Sequence, residues 1–554
     1  MTAGNMLLDA AAQAGWYGLM TRSYGPQIRG GEAMTAIRLS SRPLACAGDL
    51  DDVLVALDWR NIERFLPDLA LSQDSLIIGD PKAGVIPEAI QEINADHREI
   101  PLTQLAKKIP GGRPNMVALG ILVALTGIPF ESVVTSARRG LKKRRPDVVE
   151  AGLAGLRAGM DAATGLPRIA IKTPIAGAGA KRWSITGNEA AACGAVHGGI
   201  RYAAGYPITP ATEILEWLAT ALPRVGGRLV QAEDELASVA QIIGASFGGV
   251  PAFTATSGPG LALMVESIGL AVASEVPIVV VDVMRGGPST GIPTKSEQSD
   301  LNIAIHGLHG DAPHLVLAPL SVADCLFTTQ WAVHLAEALQ TPAIVLSDQF
   351  LAQTRAIIDR PASVEFIANR RIARKINGEY NRYALSSSGV SPMAIPGLAG
   401  GQYTADGLAH DEHGVPSAAA SNHIAHLSKR HDKLENYEYG DHWAEIEGDG
   451  ETAIITWGST TGPIREALDR LPDWQSKIRL IAIRLLSPAR PAHMTAALAG
   501  VHRALVIEQS QAGQFHDYLR AKYDLPGEVK TFCQSGAVAM RPDAVLNEIN
   551  GWSA

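Results

Sequence analysis

Cysteine is almost missing from this chain. The four residues, Cys46, Cys193, Cys325 and Cys533, lie far apart in 554 positions and none forms a CxxC pair. That argues against a zinc or iron–sulfur site built from this chain alone and leaves the thiols as small buried apolar groups. Aromatic residues are scarce at 5%. Long apolar runs are also absent. The best candidate, Leu261 to Met284, is broken by Glu266, Glu275 and Pro277, short of the roughly 18 to 20 uncharged residues that a membrane span needs. The N-terminal MTAGNMLLDAAAQAG has neither the basic region nor the cleavage site of a secretory signal, so a cytoplasmic protein is expected. Positive charge is not in excess: the net charge of −8 disfavours a general nucleic-acid surface. No GxGxxG follows a first strand, which disfavours a nicotinamide dehydrogenase.

What is present fits a soluble α/β protein. Hydrophobic residues make up 46% and charged residues 19%, with 55 glycines, as expected for tight packing with many turns. The length exceeds one core and predicts about three domains. Three composition breaks stand out: the Gly/Ala stretch at 174–181, a polar stretch at 378–440, and the segment 445–451. The second is too long for an ordinary connection and reads as a functional arm or a mobile segment. The expected domains are 1–173, 182–355 and 446–554, with 356–445 as an irregular arm.

Between the breaks, strands and helices alternate. Arg228 to Gln231 reads as a strand, Glu235 to Phe247 as a helix and Pro251 to Thr256 as a strand; after the turn SGPG, Leu261 to Val272 reads as a helix. PIVVVDV at 277–283 has the continuous apolar character of a strand buried in a parallel sheet. AIITWG, IRLIAI and ALVIEQ repeat this grammar near the C-terminus. In the N-terminal region Leu54 to Leu57, Ser75 to Ile78 and Met116 to Leu122 are the clearest apolar runs. The fold class is therefore α/β with doubly wound parallel sheets, which bind ligands at the carboxyl ends of their strands.

Four motifs fall at such ends. Gly205-Tyr206-Pro207-Ile208-Thr209-Pro210 forces an extended turn that presents Thr209, although it also serves as a plain strand-to-helix connection. Glu233, Asp234 and Glu235 form an acidic helix start, for which capping is the ordinary role. Glu235 differs because the Ala/Ile-rich helix that follows implies burial. Thr256-Ser257-Gly258-Pro259-Gly260 lets backbone approach a ligand, as any tight turn does. Arg285 opens RGGPSTGIPT after the apolar strand and is a good anion receptor or a surface ion-pair residue.

Taken in order, YPITP, EDE, TSGPG, RGGPSTGIPT and HGLHGDAP resemble the 2-oxoacid:ferredoxin oxidoreductases. The likeness is greatest to the type with fused γ and α parts that acts on 2-oxoglutarate. TGNEA at 186–190, WGSTTGP at 457–463 and EQSQAGQ at 508–514 extend the resemblance over nearly the whole chain. It implies a γ-type N-terminal domain associated with coenzyme A, a middle domain that binds the pyrimidine of thiamine diphosphate, and a transketolase-C-terminal-like domain. Glu235 would be the catalytic carboxyl, because it opens a helix and Gly244 follows nine residues later; Glu233 is the runner-up. Thr209 and Arg285 would hold the substrate carboxylate and Thr294 would sense its distal end. Tyr206, Pro207, Ile208, Ser257 and Gly258 would join Glu235 in binding the cofactor.

The family's diphosphate site uses a GDG followed downstream by a paired asparagine. Here the GDG at 448–450 precedes a strand without that partner and reads as a turn. The resemblance therefore places Mg²⁺ and a [4Fe–4S] cluster on a separate β subunit, with ferredoxin as electron partner and an (αβ)2 assembly. SYGPQIRGG at 23–31 matches a segment of the γ part, whereas the chain begins in the helix after the family's first strand. The basic run Arg138 to Arg145 reads as a solvated helix end or, alternatively, a site for coenzyme A phosphates. Pyruvate, indolepyruvate or branched-chain 2-oxoacids are alternative substrates, and a non-catalytic assembly or regulatory homologue is the alternative outside enzymes.

Overall fold

The computed structural model describes residues 2–25, 31–169, 182–292 and 294–553. The Gly/Ala stretch at 174–181 and positions 26–30 of the γ-like segment lie outside the described residues. The chain divides into two units: 1–185 with 354–361 and 538–554, and 186–353 with 362–537. A strand from 355–359 and a helix from 542–553 thus join the N-terminal unit from beyond the boundary expected at 173.

In the first unit, strands Ala33–Ser40, Tyr17–Tyr24, Arg355–Asp359 and Arg182–Thr186 form one sheet in that order. Three short parallel strands, Val53–Ala56, Leu76–Gly79 and Asp96–Glu99, form another. The run Met116 to Leu122 lies inside the helix Pro114–Thr126, which ends at Gly127 with φ of 70°. Glycine accepts that left-handed conformation at least cost.

In the second unit the strands are β1 (Tyr202–Gly205), β2 (Arg228–Gln231), β3 (Ala252–Thr256), β4 (Val279–Met284), β5 (Leu315–Leu317) and β6 (Ala343–Asp348), then β7 (Ala444–Glu447), β8 (Thr452–Trp457), β9 (Ile478–Ile483), β10 (Leu485–Ser487), β11 (Arg503–Glu508) and β12 (Glu528–Cys533). The helices used below are α1 (Gly187–Gly198), α2 (Thr212–Ala221), α3 (Glu235–Phe247), α4 (Gly258–Ala273), α5 (Leu301–His306), α6 (Asp324–Leu339) and α7 (Ala420–Glu435). One sheet has the order β10-β5-β6-β4-β3-β1-β2 and the other β7-β9-β8-β11-β12. All pairings are parallel except β10 with β5 and β7 with β9. The GDG at 448–450 lies in the connection from β7 to β8.

Helices cover both faces of a parallel sheet, so its strands are apolar throughout. Every residue of β4 and β6 is buried. Val280, Val281, Phe253 and Ile344 belong to an apolar core that continues through Ile455 and Trp457 of the second sheet and Phe515 of the helix Gln514–Lys522. Each such side chain contributes about 1.5–3 kcal/mol on burial.

The polar stretch 378–440 differs from an unstructured arm, because it contains the sixteen-residue helix α7. Its buried side chains include Lys429 and Lys433, whose ammonium groups bond the two Glu275 oxygens at 2.7 and 3.1 Å. Arg370, just before the stretch, lies 2.7 Å from Glu337 of α6. Buried charges endure only in such pairs. Among the described residues no helix is long and apolar enough to cross a membrane.

Candidate active site

The four motifs stand at the carboxyl ends of β1, β2, β3 and β4, which are neighbours in the sheet. β1 delivers residues 206–210, where Tyr206 is exposed and Thr209 half-buried. Asn188, buried in the first turn of α1, donates its Nδ2 to the Pro210 carbonyl at 2.8 Å. α1 is fixed in turn by a reciprocal capping box between Thr186 and Glu189. These bonds secure the Thr209 turn from below.

After β2, the three acidic residues part company. Glu233 is exposed. Asp234 caps α3, accepting from the Ala237 N–H at 2.6 Å. Glu235, the first residue of α3, is buried, with 7% exposure. Its carboxylate lies against Gly260: an ideal Cβ there would stand 2.7 Å from Glu235 Cγ and 2.8 Å from Oε1. Thr256 Oγ1 would lie closer still, so only hydrogen at position 260 leaves room for both side chains.

β3 leads through Ser257 directly into α4, so Gly258-Pro259-Gly260 form a helical first turn rather than a turn preceding the helix. Proline suits that position because its missing N–H would have no helical partner. The Ser257 hydroxyl is wholly buried and has no hydrogen-bond partner among the described residues.

β4 ends at Met284, and Arg285 reaches back to donate Nη1 to the Thr209 carbonyl at 2.6 Å. The loop that follows is closed by Gly286 N–H to Lys295 O and Ile292 N–H to Gly286 O, both at 3.0 Å. The Ser299 hydroxyl donates to the Arg285 carbonyl at 2.8 Å. Burial lowers the Arg285 guanidinium from its ordinary value, and Asp300 opposes that shift. Thr294 has a positive φ of 41°. A β-branched residue rarely adopts this conformation, and such strain concentrates at functional loops.

The structure thus brings Thr209 and Arg285 into contact and sets Glu235 against the α4 turn that carries Ser257 and Gly258. Thr294 shares the Arg285 loop. Sequence reasoning missed Asn188, which was seen only as part of a motif, and the buried carboxyls Asp282 and Asp300. Asp282 was hidden because PIVVVDV reads as purely apolar. In the first unit the basic run is solvated, with Arg139 2.8 Å from Asp9 and Arg138 3.3 Å from Glu150.

The doubly wound parallel sheet with its loops gathered at the strand ends is an architecture that binds ligands there, and its likeness to known proteins shows which class it belongs to. Residues 193–429 match the family model described as pyruvate flavodoxin/ferredoxin oxidoreductase, thiamine diP-binding, and residues 1–162 match pyruvate ferredoxin/flavodoxin oxidoreductase. The chain is 36% identical over 379 residues to a 2-oxoglutarate synthase subunit KorA of Methanothermobacter marburgensis, covering 67% of this chain and 99% of that one. Against a 2-oxoglutarate oxidoreductase subunit KorA of Mycobacterium tuberculosis it is 32% identical over 521 residues, with 88% and 79% covered. A solved structure is similar with a TM-score of 0.90, 36% identity and coverage of 100% and 96%. It is 2-oxoglutarate:ferredoxin oxidoreductase from Magnetococcus marinus with 2-oxoglutarate, coenzyme A and succinyl-CoA bound. The chain belongs to the 2-oxoacid:ferredoxin oxidoreductase family, as its ordered motifs implied.

Proposed function

We propose that this chain is the α-type subunit of an enzyme that joins oxidative decarboxylation of 2-oxoglutarate to formation of succinyl-CoA. Carbon dioxide leaves, two electrons pass to ferredoxin, and the reverse carboxylation uses the same groups. The observation that carries the reading is the Arg285–Thr209 bond together with the buried Glu235 at the same end of the sheet. A cation after β4 and a carboxyl after β2 stand at the same, carboxyl, end of one sheet, as a reaction that binds one carboxylate and moves one proton requires.

The groups present suit thiamine diphosphate. A carboxyl protected from water can bond the pyrimidine ring, and the unpartnered Ser257 hydroxyl on the α4 turn has capacity for a further bond. When bound, that cofactor supplies the carbanion chemistry of 2-oxoacid decarboxylation. Glu235 holds the proton at the pyrimidine nitrogen, and Tyr206, Pro207, Ile208, Ser257 and Gly258 form the walls that orient the ring. Arg285 neutralises the substrate carboxylate, and its bond to Thr209 fixes the guanidinium plane. Thr294 contacts the distal end of the substrate. The diphosphate with its Mg²⁺ and a [4Fe–4S] cluster belong to a β subunit in an (αβ)2 assembly, and the N-terminal domain governs coenzyme A access. These assignments rest on family membership and on the placement of the groups above.

The deciding experiment is to purify the complex with its native partner and assay acyl-CoA formation from 2-oxoglutarate, pyruvate, 2-oxobutyrate and indolepyruvate. Preference for 2-oxoglutarate is expected. Preference for another acid would move the substrate assignment, and no turnover with any of them would refute the catalytic reading.

A further inference from the structure

Two carboxyl groups that the reaction does not use, Asp282 and Asp300, lie within hydrogen-bond reach of each other, and Asp300 acts on the Arg285 charge. Asp282 lies on β4, three residues before Arg285, and is fully buried. Asp300 immediately precedes α5 and stands against the start of α4, where an ideal Cβ on Gly258 would lie 2.6 Å from its Oδ2. Among the described residues, both oxygens of Asp282 and Oδ2 of Asp300 have no donor. The remaining oxygen, Asp300 Oδ1, accepts from the Ser299 hydroxyl at 3.1 Å.

Ionised carboxylates only accept hydrogen bonds, so two of them in contact within an apolar interior repel without compensation. One proton between them supplies the missing donor and removes the repulsion. We propose that Asp282 and Asp300 share one proton and together position Arg285, holding the charge behind the guanidinium at minus one. With that single charge Arg285 stays turned toward Thr209 and open to a substrate carboxylate. A second negative charge would draw it inward and repel the substrate.

Burial, then the charge of Asp300, push Asp282 well above the usual carboxylate range. Burial also pushes Asp300 up to about 6, with Glu297 adding to the rise and Ser299, Asp282 and Arg285 opposing it. Those are the groups that face the pair from β4, from the 285–299 loop and from the start of α5.

The role of Arg285 rests on the function proposed above, so two measurements on the assembled complex are needed. The first is infrared difference spectroscopy near pH 7.5 between wild type, D282N and D300N. A protonated-carboxyl stretch is expected in the wild type, lost in D282N and shifted in frequency in D300N, where burial still protonates Asp282 without its partner; its absence from the wild type would overturn the shared proton, whatever the enzyme turns over. The second is the pH profile of KM for the 2-oxoacid. Below about pH 6 the pair is neutral, and above it the pair carries one charge. KM should therefore rise on the order of tenfold as pH falls through that range and the positioning charge is lost, while kcat changes little. D300N should flatten the rise, isolating it from the titration of Glu297. An unchanged KM inflection in D300N, or equal falls in kcat and kcat/KM at every pH, would overturn the positioning role. A complex that turns over no 2-oxoacid would instead overturn the functional reading beneath it.

Discussion

Glu235 and Gly260 are packed so closely that a single methyl group on the glycine would meet the carboxylate, 2.8 Å from Oε1. Glu235 opens α3 and Gly260 lies in the first turn of α4, and the carboxyl's position depends on the glycine's missing side chain.

Gly260→Ala is accordingly expected to fold, with far-ultraviolet dichroism like that of wild type, and to lose about a hundredfold in kcat. Displacement of a reacting group by about 1 Å carries losses of that size. A variant with unaltered kcat would show that Glu235 has room to move without consequence.

Glu235→Gln should lower turnover by about 10²–10⁴-fold, the usual contribution of one general acid–base group. Glu233→Gln should stay near wild type, since Glu233 is exposed and outside α3. If steady-state assays reverse that order, the proton-handling carboxyl has been misassigned by two residues.

Thr294→Val keeps the β-branched shape at φ of 41° and removes only the hydroxyl. The expected loss in kcat/KM is about 1–2 kcal/mol for 2-oxoglutarate, with pyruvate and 2-oxobutyrate much less affected. Equal losses for all three would take Thr294 out of substrate selection.

Glu275→Gln tests the anchor of the polar stretch. Burial alone would raise the Glu275 carboxyl, but Lys433, Lys429 and Arg382 outweigh it and hold the group well below the ordinary carboxylate range. A depressed carboxyl stabilises the fold above its unfolded value of about 4.3. That contribution is lost as pH falls toward the folded value. The substitution leaves two buried ammonium groups without their carboxylate and should cost about 3–5 kcal/mol at neutral pH. Denaturant melts should also show a shallower loss of stability in acid than wild type shows. A change under 1 kcal/mol at neutral pH would mean that the lysines find other partners.

The middle of the chain was legible because its signals are local. Asp234 and the apolar pattern after it mark the start of α3, and β-branched runs mark β4 and β9. The SGPG segment misled because proline and glycine, which usually end structure, here open α4. Helix α7 gave no signal, since ASNHIAHLSKRHDKLE has no apolar stripe. Its buried lysines make sense only beside Glu275, more than a hundred and fifty residues earlier. The Asp282–Asp300 contact was hidden because Asp282 sits inside a run that reads as purely apolar, and Arg285 could be seen as an anion receptor while its bond to Thr209 could not.

The edge strand β10 has a consequence for how the protein is made. Val316 and Leu317 of β5 pair with Ser487 and Leu485, residues inserted between two strands of the other sheet. During translation, β1 to β6 leave the ribosome long before that partner exists. The nascent chain therefore carries an open β-edge through the synthesis of about 170 further residues, the span from Leu317 to Leu485, with backbone groups available to any passing strand. Premature termination anywhere in that interval leaves a product whose first sheet is unsealed.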